Sequence, residues 1–314
     1  MLKKITVITL TIFLGIGAFV SAQAKETDAS LEVAATLFPT YDFARQIGKD
    51  KTHVTLLLPP GVESHAFEPR PSDAARISKS DIFIYTGEFM EPWAKDLLAG
   101  TSSEALLVVD ASRGIELMAD EDHDGEEEHH EEARHHGGKD PHIWTDLANA
   151  QKMVATITES FCEKDAENCA FYRANAASYN AKLADLDQRF KAGLADCKHH
   201  AIIYGGHFAF GYFAHRYGLE HVSPYRGFSP DAEPTPKAIA ELIKTMRYSG
   251  MKYIYYEELL DPKVARTIAE ETGAKLELLH GAHNVSKENL AKGITYLTIM
   301  EENLAKLRTG LECS

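Results

Sequence analysis

The sequence predicts an α/β protein of two units, each a parallel sheet covered by helices, with one long helix between them. Three observations lead there. Short apolar runs alternate with amphipathic stretches in two separate series, the rhythm of strand–helix–strand units whose sheet is buried on both faces. Between the series lies a stretch free of Pro and Gly until Gly193, with apolar residues at helical spacing. Finally, 314 residues with 44% hydrophobic and 25% charged side chains fit two soluble domains of ordinary size. The same numbers exclude a disordered chain, a fibre and a multi-span membrane protein.

In the first series, residues 31–38 read as a strand, 40–48 as a helix and 53–58 as a strand. A short helix at 71–78, a buried strand at 81–85 and a short strand at 108–109 follow. The rhythm restarts with a strand at 201–204 and helices at 208–217 and 236–249. A strand at 253–256, a helix at 262–272, a strand at 276–279 and a closing helix at 287–308 complete it. In the connecting stretch, Phe171, Tyr179, Leu183, Leu186 and Phe190 fall on one helical stripe over residues 168–195. That makes about seven turns, a stiff connector rather than a flexible linker.

The first residues bear on compartment. Lys3 and Lys4, an apolar run over 5–20 and then Ala22-Gln23-Ala24 have the three parts of a secretory leader, with cleavage expected after Ala24. No cysteine stands near that point, so a lipid anchor is not expected, and the mature chain should be exported and soluble. Outside the cytoplasm the four cysteines favour two disulfides. The sequence leaves three pairings open; the expected one joins Cys162 to Cys169 and Cys197 to Cys313.

The net charge is −14, which repels phosphate backbones and argues against nucleic acid as a partner. Fifteen histidines are clustered rather than scattered. Residues 120–138 hold nine acidic side chains and five histidines, His123, His129, His130, His135 and His136, with almost nothing apolar. Such a segment builds no core and reads as a loop that collects metal loosely. Four other histidine contexts follow strands: Pro59 to Pro69 around His65, Asp140-Pro141-His142, Gly205-Gly206-His207, and Leu279-His280-Gly281-Ala282-His283. Ligands bind beyond the carboxyl ends of strands in open α/β sheets. Four imidazoles arriving there from two units suit a tetrahedral Zn²⁺.

Those pieces, with Leu37-Phe38-Pro39, Asp140 to Trp144, His207 to Phe213 and Tyr256-Glu257, resemble the zinc/manganese solute-binding proteins of ABC importers, the periplasmic zinc-binding type in particular. The likeness covers nearly the whole mature chain. It implies two similar lobes with parallel helix-covered sheets joined by a long rigid helix: 25–167, 168–196 and 197–314. It also implies metal ligands at His65, His142 and His207, and a periplasmic monomer that delivers Zn²⁺ to an inner-membrane ABC permease and its ATPase. Manganese-type relatives carry a carboxylate where this chain has His207, and imidazole favours zinc. At the fourth place the family commonly has Asp; here the position reads His280, with His283 as the alternate. Four imidazoles would leave the site at +2, and Glu257 is the candidate counter-charge. A four-ligand site is not that of an enzyme. The rivals are a Mn²⁺ carrier of the same fold, a secreted zinc hydrolase using Glu257 as base, and a metal buffer or adhesin. The hydrolase lacks an H-E-x-x-H or G-x-S-x-G pattern.

Overall fold

The computed structural model describes residues 30–100, 105–119, 138–225 and 234–314. The expected leader, 1–24, and all five loop histidines between 120 and 137 lie outside the described residues. Within them the chain is α/β. The first series runs β1 (Leu31–Ala35), α1 (Phe38–Gly48), β2 (Thr52–Leu56), α2 (Pro71–Ile77), β3 (Ile82–Tyr85), α3 (Trp93–Ala99) and β4 (Leu107–Asp110). Its strands form one parallel sheet in the order β2-β1-β3-β4. Successive strand residues point to opposite faces. Val33 and Ala35 of β1 therefore enter the main core, while Ala34, with Phe83, packs against Ile77 of α2 and Ala94 of α3.

Two helices follow, α4 (Leu147–Lys164) and α5 (Cys169–Leu194). The second lobe then runs β5 (Ala201–Ile203), α6 (Gly211–Tyr217), β6 (Glu220–Val222), α7 (Pro236–Ser249), β7 (Tyr253–Tyr256), α8 (Lys263–Thr272), β8 (Lys275–Leu278), α9 (Lys287–Ala291) and α10 (Tyr296–Gly310). Its sheet is two parallel pairs, β5-β6 and β7-β8. A parallel bridge between Tyr204 and Tyr255 joins them, with Gly205 N–H donating to the Tyr255 carbonyl at 2.8 Å. The resulting order, β6-β5-β7-β8, repeats that of the first lobe.

The 26-residue α5 spans roughly 39 Å at 1.5 Å per residue. Its first half packs on the first lobe, where Asn175 Nδ2 donates to the Ile47 carbonyl at 3.0 Å. Its second half packs on the second lobe, where Asp187 receives Arg216 Nε at 2.6 Å and Tyr217 O–H at 2.9 Å, besides Lys191 Nζ of its own helix at 2.8 Å. Burial works against the Asp187 charge, but these three partners outweigh it and bring its pKa down to about 2. The helix is thus a packed strut shared by both lobes.

Three details depart from the sequence pattern. The closing helix is broken, because Gly293 takes a left-handed φ of 74° and Thr295 starts a new N-terminus by accepting from Thr298 N–H. The helix expected from residue 208 begins at Gly211, since 207–210 run irregularly beneath the site. Helix α4, capped by Asp146, helix α3 and strand β6 fill stretches the pattern leaves unassigned. Disulfides join Cys162 to Cys169 and Cys197 to Cys313; the first ties the end of α4 to the start of α5, the second ties the segment after α10 to the stretch between α5 and β5. No helix of the described residues is long and apolar enough to cross a membrane.

Candidate metal centre

Each lobe sends two histidines to the same point. His65 sits on the loop after β2, where Glu63 shapes the backbone by accepting from His65 N–H at 3.0 Å and Ala66 N–H at 2.8 Å. His142 follows β4, at the head of a short 3-10 turn, Ile143–Thr145. Asp140 Oδ1 receives both its backbone N–H, 2.9 Å, and its ring Nδ1, 2.8 Å. His207 follows β5 behind two glycines. A Cβ on Gly205 would collide with Ala265, and one on Gly206 would lie 2.5 Å from Glu257 Oε1. Only glycine lets this strand end approach the carboxylate that holds His207 Nδ1 at 2.5 Å. His283 follows β8, with its Nδ1 3.1 Å from Glu258 Oε1.

The ligand atoms of His65, His142, His207 and His283 all lie within 4.8 Å of one another. Their six ring-centroid separations run only from 5.0 to 5.6 Å. Four points that are nearly equidistant in pairs form a tetrahedron. His65 Nε2 and His142 Nε2 stand 3.3 Å apart, close to the roughly 3.3–3.4 Å edge that Zn–N bonds of about 2.0–2.1 Å impose. Three rings, those of His142, His207 and His283, are buried and His65 is half-buried.

The protonation chemistry fits a metal. A carboxylate only accepts, so a ring Nδ1 held by one carries the proton and leaves Nε2 with a lone pair for the ion. Asp140 and Glu258 hold His142 and His283 this way, and Glu257 Oε2 faces His207 Nδ1 at 2.5 Å as an ion-pair partner outside hydrogen-bond geometry. Nε2 of His207 and of His283 are buried without a hydrogen-bond partner, a cost that coordination would remove. Burial pushes the His207 pKa down, but Glu257, aided by Glu63 and Glu258, more than reverses it and raises the value. Burial pushes the Glu258 carboxyl up, yet His280 and His283 hold it well below the usual carboxylate range.

Two expectations change here. The fourth place in the cluster goes to His283, carried as the alternate, and not to His280. Ala282 N–H donates to His280 Nδ1 at 3.0 Å, and Asn303 clasps the His280 backbone through Oδ1 at 3.0 Å and Nδ2 at 2.8 Å. The chain then turns through Ala282 at a φ of 62°, which swings His283 towards the other rings. Second, the charge balance rests on three carboxylates, each directly behind a ring, where the sequence pointed only to Glu257. Asp140 was legible in Asp140-Pro141-His142; Glu258 stands beside Glu257 and carried no signal of its own. Elsewhere, His221 stacks on Phe208 with centroids 3.9 Å apart, and His53 pairs with Glu32 on the surface.

The family described as "Zinc-uptake complex component A periplasmic" (ZnuA) matches residues 33–310. The high-affinity zinc uptake system protein ZnuA of Bacillus subtilis is 41% identical over 281 residues, covering 90% of this chain and 88% of that protein. The crystal structure of the metal-dependent lipoprotein YcdH from Bacillus subtilis superposes with a TM-score of 0.76 at 38% identity, covering 90% of this chain and 99% of that one. The Zn(II)-bound ZnuA-like domain of Streptococcus pneumoniae AdcA gives 0.75 at 31% identity, with coverage of 90% and 99%. A two-lobed α/β chain with four histidines converging between its lobes, matched over nearly all its described length, belongs to the zinc-uptake component A (ZnuA) family.

Proposed function

We propose that the protein captures Zn²⁺ between its lobes, through His65, His142, His207 and His283, and delivers it to an inner-membrane ABC permease and its ATPase. The near-regular tetrahedron of imidazoles carries this reading. Four neutral nitrogens replace the ion's water shell, and the carboxylates of Asp140, Glu257 and Glu258 offset its charge from one bond behind. An all-nitrogen, four-coordinate set favours zinc, whereas Mn²⁺ prefers carboxylate and water. With four protein ligands no position is left for a reacting water, so the ion is cargo and not a catalyst.

The family's periplasmic description and the leader-like residues 1–24 support export with cleavage after Ala24. The exported chain then acts as a monomer in this proposal. Residues 25–167 and 197–314 serve as the two lobes, with 168–196 as the strut. The His-rich stretch, 120–138, acts as a separate and looser collector. Its root lies close to the site: Ala119 bridges Lys139, directly before the segment from Asp140 to His142. The test is a competition titration of the metal-stripped mature chain lacking 120–138, with Zn²⁺ and then Mn²⁺ against a chelator. One tight zinc per chain, undisturbed by excess Mn²⁺, is the expected result. Loss of tight binding on removing the stretch, or displacement by Mn²⁺, would overturn the assignment.

A further inference from the structure

Resting on the zinc reading above, we infer that Glu258 is a positioning residue for the metal: it sets the tautomer and orientation of the His283 ring and so decides whether the fourth donor faces the ion. Its side chain is buried, 7% exposed, and it organises the whole turn that bears His283. Glu258 Oε2 accepts from Gly281 N–H at 2.7 Å; Oε1 accepts from His283 N–H at 3.2 Å and faces His283 Nδ1 at 3.1 Å. His280 Nδ1 lies 3.5 Å away. One carboxylate thus holds two backbone N–H groups and one ring.

Two further features converge on this contact. Leu259, directly after Glu258, and Ala282, directly before His283, have φ values of 66° and 62°. They are two of only four non-glycine residues with positive φ among the described residues. Such conformations persist where surrounding structure over-determines them. The ring of His283 also lies against Gly281, where a Cβ would come within 2.6 Å of Cε1 and 2.7 Å of Nδ1. Strained backbone and a missing side chain both serve to place this ring against this carboxylate.

The chemistry is directional. A carboxylate can only accept, so Nδ1 keeps its proton and Nε2, buried and without a hydrogen-bond partner, presents its lone pair. A glutamine at 258 has nearly the same shape but can donate its amide N–H to Nδ1. That favours the opposite tautomer, with a proton on Nε2 that the ion must displace. Loss of a group behind a metal-bound histidine typically costs 10–100-fold in affinity.

The experiment uses the full metal-stripped chain, with Zn²⁺ in chelator competition and the visible absorption of bound Co²⁺ as probes. Glu258→Gln should weaken zinc about 10–100-fold and diminish the tetrahedral Co²⁺ bands. In a His283→Ala background the same change should cost no more than about twofold, because Glu258 acts through that ring. Should Glu258→Gln fail to fold, Glu258→Asp keeps the charge with shorter reach and is read through the same cycle. Wild-type affinity in the substituted chain, or an equal loss with and without His283, would overturn the role of Glu258 alone. Failure of the wild-type chain to bind zinc tightly would overturn the zinc reading and this role with it.

Discussion

The two loops that close the site from opposite sides are built differently. Segment 279–285 of the second lobe is buried throughout and anchored to both lobes. Trp144 Nε1 donates to the Gly281 carbonyl at 2.7 Å, Phe38 N–H to that of His283 at 3.2 Å, and Asn284 Nδ2 to those of Pro59 and Val62 at 2.8 and 2.9 Å. The loop bearing His65 is instead largely exposed beyond residue 60, with Val62 at 38%. It borders a cavity of about 530 Å³ lined by Leu56, Phe67, Arg70 and Arg76, with the ring of Phe67 against Trp93. Three of the four histidines stand in the interior, and a surface loop supplies the fourth. Affinity should therefore be concentrated on the buried side and adjustability on the loop.

The largest effect expected is on that difference. His142→Ala removes a fully buried donor whose place water fills poorly, and zinc affinity should fall roughly 1000-fold or more, beyond the 10–100-fold for a group behind a ligand. His65→Ala opens a half-exposed position to water and should cost about tenfold less. Chelator competition on both variants measures it; equal losses would mean that the loop holds the ion as firmly as the interior does.

Next in size is the buried support of the fixed side. Glu91 accepts from Thr36 O–H, Thr86 N–H and Gly87 N–H, just upstream of the α1 start that bonds His283. Burial raises its pKa from 4.5 to about 7 despite those donors. A raised carboxyl contributes stability fully present below pH 4.5 and lost as pH rises through 7, about 3 kcal/mol in all. Between pH 4 and 8, denaturant unfolding should show wild type losing that much more stability than Glu91→Gln. Parallel pH profiles for the two proteins would show that Glu91 ionises normally.

The smallest effect concerns the pair of histidines at 280 and 283. His280→Asn keeps an acceptor where Ala282 N–H donates, and zinc affinity should change by less than about threefold, on the order of 0.6 kcal/mol. A collapse comparable to that of His142→Ala would make His280 a ligand and displace His283 from the proposed set.

Most of the architecture was legible because its signals are local. Alternation of short apolar runs with amphipathic stretches marks a sheet covered on both faces, as Val33, Ala34 and Ala35 confirm by entering opposite cores. Strand-end turns rich in Gly and Pro marked three of the clustered histidines. The missed helix α4 was legible as well: Leu147, Ala150, Met153, Val154, Ile157 and Phe161 stand at helical spacing and are all buried. The break in the closing helix was weaker, since a single glycine is compatible with a helix at a cost of about 1 kcal/mol.

The sequence by itself determined the α/β class, the two series of strands, the long connecting helix and an imidazole-rich donor set. These depend on periodicity and residue type, which the chain carries along its length. Only the tertiary structure brings His283, and not His280, beside the other three rings, because that placement turns on a left-handed residue between them, a clasp from Asn303 and a carboxylate from Glu258, which stands 25 residues from His283 in the chain. To Glu257, the counter-charge the sequence offered, it added Asp140 and Glu258, each carboxylate standing behind a ring. Orientation of a ring depends on which distant acceptor reaches its second nitrogen, and no local spacing encodes that distance.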